Sequence, residues 1–454
     1  MPIQKSNDWL ARAVVVVLAL FGFVSGAFAD PGDLDPAFDP GANSDVHALA
    51  VQPDGKLLVG GYFTSIGGTN WNRIARLNAD GNPDPTFNPG TGANNSVWCI
   101  TPQSDGKLLV GGNFTSINGT NRNRIARLNA DGSLDTTFNP GSGADKYVYS
   151  FAVQTNGKIL VGGQFALING TNRNFVARLN TNGSLDTTFN ATFATGTYVT
   201  SVVLATNDKV LINGAFTGVN RPCLARFSAD GGLDNTFHPG TTNATYVNSL
   251  ALQTDGKLVI GGIFDTIDGT NRNNIARLNA DGSLDNTFDP GTAFLGQDQV
   301  VYAVSVQWDG KILVGGTFTN FNDKIRRGVA RLNSDGSLDA TFEPIGGVEG
   351  GGGGTFLANV YCIARQNDGK FVIGGDFLSV NSQARGRIAR FLGDSISLSM
   401  ERAGDQLILS WINPAFSLQS APLIGGAYTN IPGATSPYPI PIADAQQFFR
   451  LKSN

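Results

Sequence analysis

The chain is written as one unit seven times. The turn Asp54-Gly55-Lys56 recurs at Asp105, Asp255, Asp309 and Asp368, with the variants Asn156-Gly157-Lys158 and Asn207-Asp208-Lys209. Successive turns are 51, 51, 51, 48, 54 and 59 residues apart. An apolar run follows each turn and ends in Gly-Gly-x-Phe, from Gly60-Gly61-Tyr62-Phe63 to Gly374-Gly375-Asp376-Phe377; the fourth copy reads Asn213-Gly214-Ala215-Phe216. Next comes Ala-Arg-Leu/Phe, with Arg76, Arg127, Arg178, Arg226, Arg277, Arg331 and Arg390. Asn-x-Asp-Gly then leads into Leu-Asp-x-x-Phe, as at Leu134–Phe138. Seven copies of this Arg and of this Asp predict one salt bridge per blade, for instance Arg127 with Asp135 or with the adjacent blade's Asp84. Such a unit cannot bury its apolar face alone and must stack on its neighbours.

Each unit reads as four short strands: Val46–Val51, Lys56–Gly61, Arg73–Leu77 and a fourth around Leu-Asp-x-x-Phe. Asp-Gly between alternating apolar runs is a hairpin signal, and it predicts a type I′ turn with positive φ at both central residues. A helical solenoid would need 3.6-residue periodicity, which is absent. Composition agrees: charged residues make up 15%, glycines number 58, and the glutamates are Glu343, Glu349 and Glu401. A period near 50 with four strands per unit predicts a propeller blade.

The register predicts closure. Leu-Asp-x-x-Phe also precedes the first unit, at Leu34-Asp35-Pro36-Ala37-Phe38, and is missing after Arg390. The N-terminal segment can therefore supply the strand that the seventh blade lacks and remove two free sheet edges. One inner-strand column is small throughout: Ala48, Cys99, Ser150, Ser201, Ser249, Ala303 and Cys362. Cys99 and Cys362 read there as fillers between converging blades rather than reactive thiols. The expected fold is all-β: a closed seven-bladed propeller of four-stranded blades followed by a small β-sandwich-like module.

Taken together, Asp-Gly-Lys, Gly-Gly-x-Phe, Ala-Arg-Leu and Leu-Asp-x-x-Phe resemble the delta-60 repeat, a bacterial repeat of about 50 residues assigned to β-propellers. The resemblance spans Asp30 to about Leu392 and implies an exported, repeat-built propeller. It implies no catalytic residues.

The two ends differ from the repeats. Residues 1–29 carry Lys5 and Arg12, the apolar run Ala13 to Val24 and Ala27-Phe28-Ala29, the layout of a secretory signal cleaved after Ala29. That run is shorter than the ~20 residues that span a bilayer. The mature chain is expected to be secreted, extracellular or associated with the cell envelope. The propeller is assigned to 30–394. Residues 395–454 read as β-rich, with Leu409-Ser410-Trp411, Leu418-Gln419-Ser420 and Phe448-Phe449-Arg450-Leu451. They resemble C-terminal β-modules of exported bacterial proteins, with a packing or spacing role or an envelope-retention role.

A propeller presents two faces. The uniform Asp-Gly-Lys and Asn-x-Asp-Gly turns share one. The second-to-third loops and the blade-to-blade loops share the other, and function is usually grafted on variable loops. Eight residues after each Gly-Gly-x-Phe phenylalanine stand Arg122, Arg173, Arg272, Arg326 and Arg385, with Arg221 in the fourth blade and Trp71 in the first. Guanidinium forks suit carboxylate, sulfate or phosphate groups, and an indole suits a sugar face. An anionic glycan is the ligand such a ring would take. The bland alternative is that each arginine ties its loop to a nearby carbonyl or carboxylate.

Other chemistry is thin. Asn129 to Asp135 faintly resembles a calcium loop but lacks further acidic ligands and the closing Glu. The unrepeated acids Asp45, Asp145, Asp298, Glu343 and Glu349 are not paired by the sequence, whereas a glycosidase needs two carboxylates ~5–9.5 Å apart. His47 and His238 have no partners in the pattern. The net charge of −4 disfavours nucleic acid as a partner. No cofactor or metal is expected, and the chain is expected to be a monomer. Two classes remain: a non-catalytic binding scaffold for a carbohydrate or envelope protein, and a propeller glycosidase or lyase acting at the channel mouth. Unrepeated acids around the axis would favour the enzyme. Finally, the connection Phe342 to Val360, with Gly350–Gly354, Glu349 and Phe356, is expected to be a mobile loop on the variable face.

Overall fold

The computed structural model describes residues 31–191, 195–217, 223–241, 246–294, 299–344, 346–350, 358–394, 398–404, 406–414, 416–423, 426–441 and 447–453. Residues 1–29, expected to be a secretory signal, and Arg221, Asp298 and Phe356 lie outside them. One compact unit spans Asp30–Gln366 and Lys370–Gly393, and Asp394–Asn454 belongs to a second.

The first unit is a seven-bladed propeller. In blade one, an inner strand Val46–Val51 pairs antiparallel with a middle strand Leu57–Gly61, which pairs with an outer strand Ile74–Leu77. The same three-stranded order recurs in every blade. Its fourth rung is a single antiparallel bridge, such as Leu77 to Pro83 or Leu128 to Leu134. The rung is short because the aspartate after it folds the chain into a turn. Asp135 accepts the Thr137 amide at 2.9 Å on its side chain, and its carbonyl accepts the Phe138 amide.

The ring closes as the offset predicts. Leu34 bridges Phe391 antiparallel, and the Asp35 amide donates to the Arg390 carbonyl at 2.8 Å. The seven inner strands neighbour one another in sequence order, with the last (Val360–Arg365) beside the first.

Six of the seven inner-to-middle turns differ from the expectation; in the fourth blade Asn207 (+60°) and Asp208 (+54°) both have positive φ. At Asp54-Gly55 only the glycine has positive φ, +83°. The Gly55 amide donates to the Gln52 carbonyl, and the Gln52 amide to the Lys56 carbonyl. That is a three-residue loop, a type I turn closed by a left-handed glycine. Two successive positive-φ residues occur instead between middle and outer strands, at Asn118 (+49°) and Gly119 (+70°). There they turn a miniature hairpin, Ser116–Ile117 against Thr120–Asn121.

Both glycines of Gly-Gly-x-Phe sit in crowded positions, although the fourth blade accommodates Asn213 at the first. A Cβ on Gly60 would come within 2.7 Å of Val97 Cγ1 in the next blade, so the first glycine lets blades meet. A Cβ on Gly112 would overlap the Ser96 carbonyl oxygen, where the inner strand carries a β-bulge between Val97 and Cys99. Gly112→Ala is therefore expected to destabilise by about 1–3 kcal/mol. Thermal denaturation checks this, and an unchanged melting temperature would contradict it. The small column is explained too: Val202 N donates to Ser150 Oγ and Val304 N to Ser249 Oγ, each in the neighbouring blade. Burial raises the Cys99 and Cys362 thiols above their ordinary range, as filler positions require.

The repeated arginine and aspartate form one ion pair per blade, as in Arg127 Nε to Asp135 Oδ2 at 2.7 Å. The partner is the aspartate eight residues on in the same blade, not Asp84 of the preceding one. Lys107 of the turn joins the same oxygen at 2.8 Å. Arg127 also lies 4.6 Å from the Phe138 ring centre and donates to the Thr181 carbonyl of the next blade at 2.8 Å. One side chain thus ties turn, outer strand, fourth rung and neighbouring blade.

The second unit has two three-stranded antiparallel sheets. One orders Ser399–Ala403, Gln406–Ser410 and Tyr438–Pro441; the other orders Thr429–Asn430, Phe416–Ala421 and Phe448–Ser453. Leu409 and Trp411 share a core with Leu418 and Phe449, giving a small sandwich.

Candidate functional site at the channel mouth

The loop arginines serve the scaffold. Arg122, Arg173, Arg272, Arg326 and Arg385 each donate a guanidinium N–H to the carbonyl of the residue before it, at 2.7–2.9 Å. Arg272, Arg326 and Arg385 are buried. Arg385 reaches Asp39 at 3.5 Å, Arg272 reaches Asp289 at 3.8 Å, and Arg326 reaches Glu343 at 3.9 Å. Trp71 packs edge-on against Phe87, with ring centres 6.4 Å apart. In the described members of the expected arginine ring, one N–H of each guanidinium turns back on its own loop, and each Nε is buried without a hydrogen-bond partner. Arg221 lies outside the described residues.

The long connection is likewise engaged. Val348–Gly350 pairs with Phe377–Val380, and Glu349 accepts from Arg327 at 3.2 Å. In this stretch the expected mobile loop is a short strand; Gly351–Gly354 lie outside the described residues. Asp145 accepts the amides of Ala166 and Leu167 through Oδ1, and Asp131 accepts the Ser133 amide within a hairpin turn.

Three other columns converge on the axis. Each inner strand begins with a bulge, and the residue it displaces is His47, Trp98, Tyr149, Thr200, Asn248, Tyr302 or Tyr361. Two residues earlier stand Asp45, Ser96, Tyr147, Tyr198, Tyr246, Val300 and Asn359. The x of Gly-Gly-x-Phe contributes Tyr62 and Asp376, among others. The ends are held together, as when Tyr62 N donates to the Asp45 carbonyl at 2.8 Å. All three columns lie at the strand ends next to the second-to-third loops, hence at the variable-face mouth of the channel. None is constant around the ring, although tyrosine recurs in the first two.

Seven of the nine tyrosines gather here, in two arcs. In the first, Trp98 stacks on Tyr149 with centres 4.9 Å apart, Tyr149 meets Tyr198 edge-on at 6.1 Å, and Tyr198 stacks on Tyr246 at 6.3 Å. In the second, Tyr302 meets Tyr361 at 5.5 Å, Tyr361 stacks on His47 at 4.7 Å, and His47 meets Tyr62 edge-on at 5.1 Å. Burial pushes the Tyr149 phenol up, with Tyr147 of the same blade and Tyr198 and Tyr62 of other blades adding to it. Tyr62 itself is 41% exposed.

The second arc also holds two unrepeated carboxylates. Asp376 accepts from Asn359 N at 2.7 Å, Asn359 Nδ2 at 2.6 Å and Tyr361 Oη at 2.8 Å. Asp45 faces Arg387 Nε at 3.8 Å. Burial, and then the charge of Asp376, raise the Asp45 carboxyl, with Arg387 opposing. Burial pushes His47 down to about 4, so it is neutral at pH 7. Among the described residues no cluster of three or more His, Cys, Asp or Glu could hold a metal ion. No described helix is long and apolar enough to cross a membrane.

The model of a "domain of unknown function (DUF5122) beta-propeller" matches the chain seven times, over residues 52–87, 103–138, 154–189, 206–237, 253–288, 307–342 and 366–395. The chain belongs to the DUF5122 beta-propeller family. No curated protein matches it by sequence. Among solved structures, the WD40 β-propeller domain of Doa1 is 15% identical with a TM-score of 0.50, covering 80% of this chain and 95% of that one. A virginiamycin B lyase from Staphylococcus aureus is 16% identical with a TM-score of 0.51, covering 78% and 97%. The extracellular domain of the putative one component system BT4673 from B. thetaiotaomicron is 13% identical with a TM-score of 0.51; 90% of this chain matches 47% of that one. At these identities the likeness is one of fold. For this DUF5122 propeller, the mouth geometry has to carry any functional argument.

Proposed function

We propose that the protein is an exported, non-catalytic scaffold that binds carbohydrate at the variable-face mouth of the propeller. The observation that carries this reading is the convergence of three variable columns into two aromatic arcs. Positions that serve the ring are the same in every blade; those at the mouth are free to differ and have filled with tyrosine, tryptophan and histidine. Flat aromatic faces with polar tips stack on sugar rings and hydrogen-bond their hydroxyls. The burial of Arg272, Arg326 and Arg385 and the carboxylates of Asp45 and Asp376 at the mouth speak against an anionic glycan. The secretory segment and the resemblance to delta-60 repeats support export to the envelope or beyond. Within that reading the C-terminal sandwich serves as spacer or retention element. A glycan array probed with the mature protein tests the function. Carbohydrate binding is expected, with affinity reduced about ten-fold in Trp98→Ala; an array without any bound sugar would refute it.

A propeller glycosidase or lyase is the second reading, favoured by the unrepeated pair Asp45 and Asp376 near the axis. Asp45, with its raised carboxyl, would be the proton donor. Asp376 already accepts three hydrogen bonds from neutral donors, which suits binding better than base or nucleophile chemistry. New reducing or unsaturated ends released from an array-positive polysaccharide, and lost in Asp45→Asn, would establish the enzyme instead.

A further inference from the structure

The two aromatic arcs differ in what they enclose. In the arc from Tyr302 to Tyr62, the neutral imidazole of His47 lies against the rings of Tyr361 and Tyr62, Tyr302 packs on Tyr361, and the His47 Nε2 is buried without a hydrogen-bond partner. Beside it lie Asp376, bonded only to the neutral donors Asn359 and Tyr361, and Asp45, whose ion pair is with Arg387 at 3.8 Å. Two carboxylates face one guanidinium, so the sector is short of positive charge. Aromatic walls with an uncompensated negative charge favour an organic cation, through ring faces and Coulomb attraction together. An anionic group would meet repulsion there.

We propose that this sector, between blades seven and one, is an ammonium subsite that takes the free 2-amine of an amino sugar. The mouth then prefers a deacetylated amino-sugar chain to its N-acetylated form, with the sugar rings lying on the Trp98–Tyr246 arc. This rests on the carbohydrate reading and narrows it to a charge class. A lysine-bearing peptide would satisfy the subsite but leaves the tyrosine arc without a flat ring to stack.

Calorimetric titration of the full mature chain tests the proposal, using glucosamine hexamer, N-acetylglucosamine hexamer and a lysine-rich peptide at mildly acidic pH. Glucosamine hexamer is expected to bind about ten-fold more tightly than the acetylated one. The preference should weaken with added NaCl and vanish in Asp45→Asn, with Asp45→Ser as a second variant and thermal melting as the check on folding. Equal binding of the two hexamers would overturn the ammonium subsite and leave the carbohydrate reading standing. Binding of the peptide alone, or of none of the three, would overturn the amino-sugar proposal, whereas the carbohydrate reading falls only with an empty glycan array.

Discussion

A mature chain shortened to begin at Asn43 is expected not to fold as a propeller. The missing segment supplies the Leu34–Phe391 bridge, and Asp35, which pairs with Arg390 at 2.9 Å and Lys370 at 3.1 Å. It also supplies Phe38, buried beneath the Arg390 guanidinium with 4.3 Å between them. Losing one partner of a buried ion pair costs about 3–5 kcal/mol, and removing a buried phenylalanine side chain about as much. Together these approach the ~5–15 kcal/mol that holds a typical domain folded. Removal would also leave Phe391 on an unpaired strand edge, open to association. Circular dichroism and gel filtration should show an unfolded or aggregated product. A truncated chain that melts cooperatively at the full-length temperature would mean that closure does not depend on this segment.

Acid is expected to unfold the propeller in two stages. Burial alone would raise the Asp135 carboxyl, but hydrogen bonds from Lys107, Thr137 and Arg127 outweigh it and hold the group well below its ordinary range. Asp84, Asp186, Asp234 and Asp285 behave alike, and Asp339 is held at about 2. A carboxyl lower in the folded than in the unfolded state stabilises the fold fully above the unfolded value, about 3.9. That stability is lost as pH falls through the folded value. His47, lowered from 6.5 to about 4 by burial, adds an earlier and smaller loss across that window. Melting temperature should therefore slope gently between pH 6.5 and 4 and collapse below ~3.9. In Asp135→Ala the melting temperature at pH 7 should drop by the equivalent of about 3–5 kcal/mol and the acid slope should flatten. An unchanged temperature in that variant would remove the ion pair from the account.

The repeats made the ring legible from sequence. Seven turns at near-constant spacing counted the blades, and the displaced Leu34–Phe38 copy announced that the ends meet. The Arg–Asp pair could be read because both members recur, although their lysine partner and the reach of Arg127 into the next blade needed coordinates. The mouth was hidden for a physical reason. Period-two alternation assigns each inner-strand residue to one of two faces, and the bulge before Ala48 or Cys99 inserts a residue that belongs to neither. That residue is aimed at the axis. The second glycine of Gly-Gly-x-Phe was the available signal, since a glycine at a strand end often marks a bulge. The loop arginines recur at a variable face, which the sequence alone reads either as a binding ring or as ties within each loop; the bonds from each guanidinium to its own loop needed coordinates.

The comparison that most directly tests the central claim sets mouth variants against loop variants. Trp98→Ala and Tyr149→Ala remove faces of the first aromatic arc; Arg122→Ala and Arg173→Ala remove the loop guanidiniums. Affinity for the top-ranked array oligosaccharide, measured by titration beside each melting curve, separates the two groups. The account predicts that the mouth variants lose about ten-fold in affinity while the loop variants keep the wild-type value. Binding that survives in Trp98→Ala and Tyr149→Ala but disappears in Arg122→Ala and Arg173→Ala would contradict it.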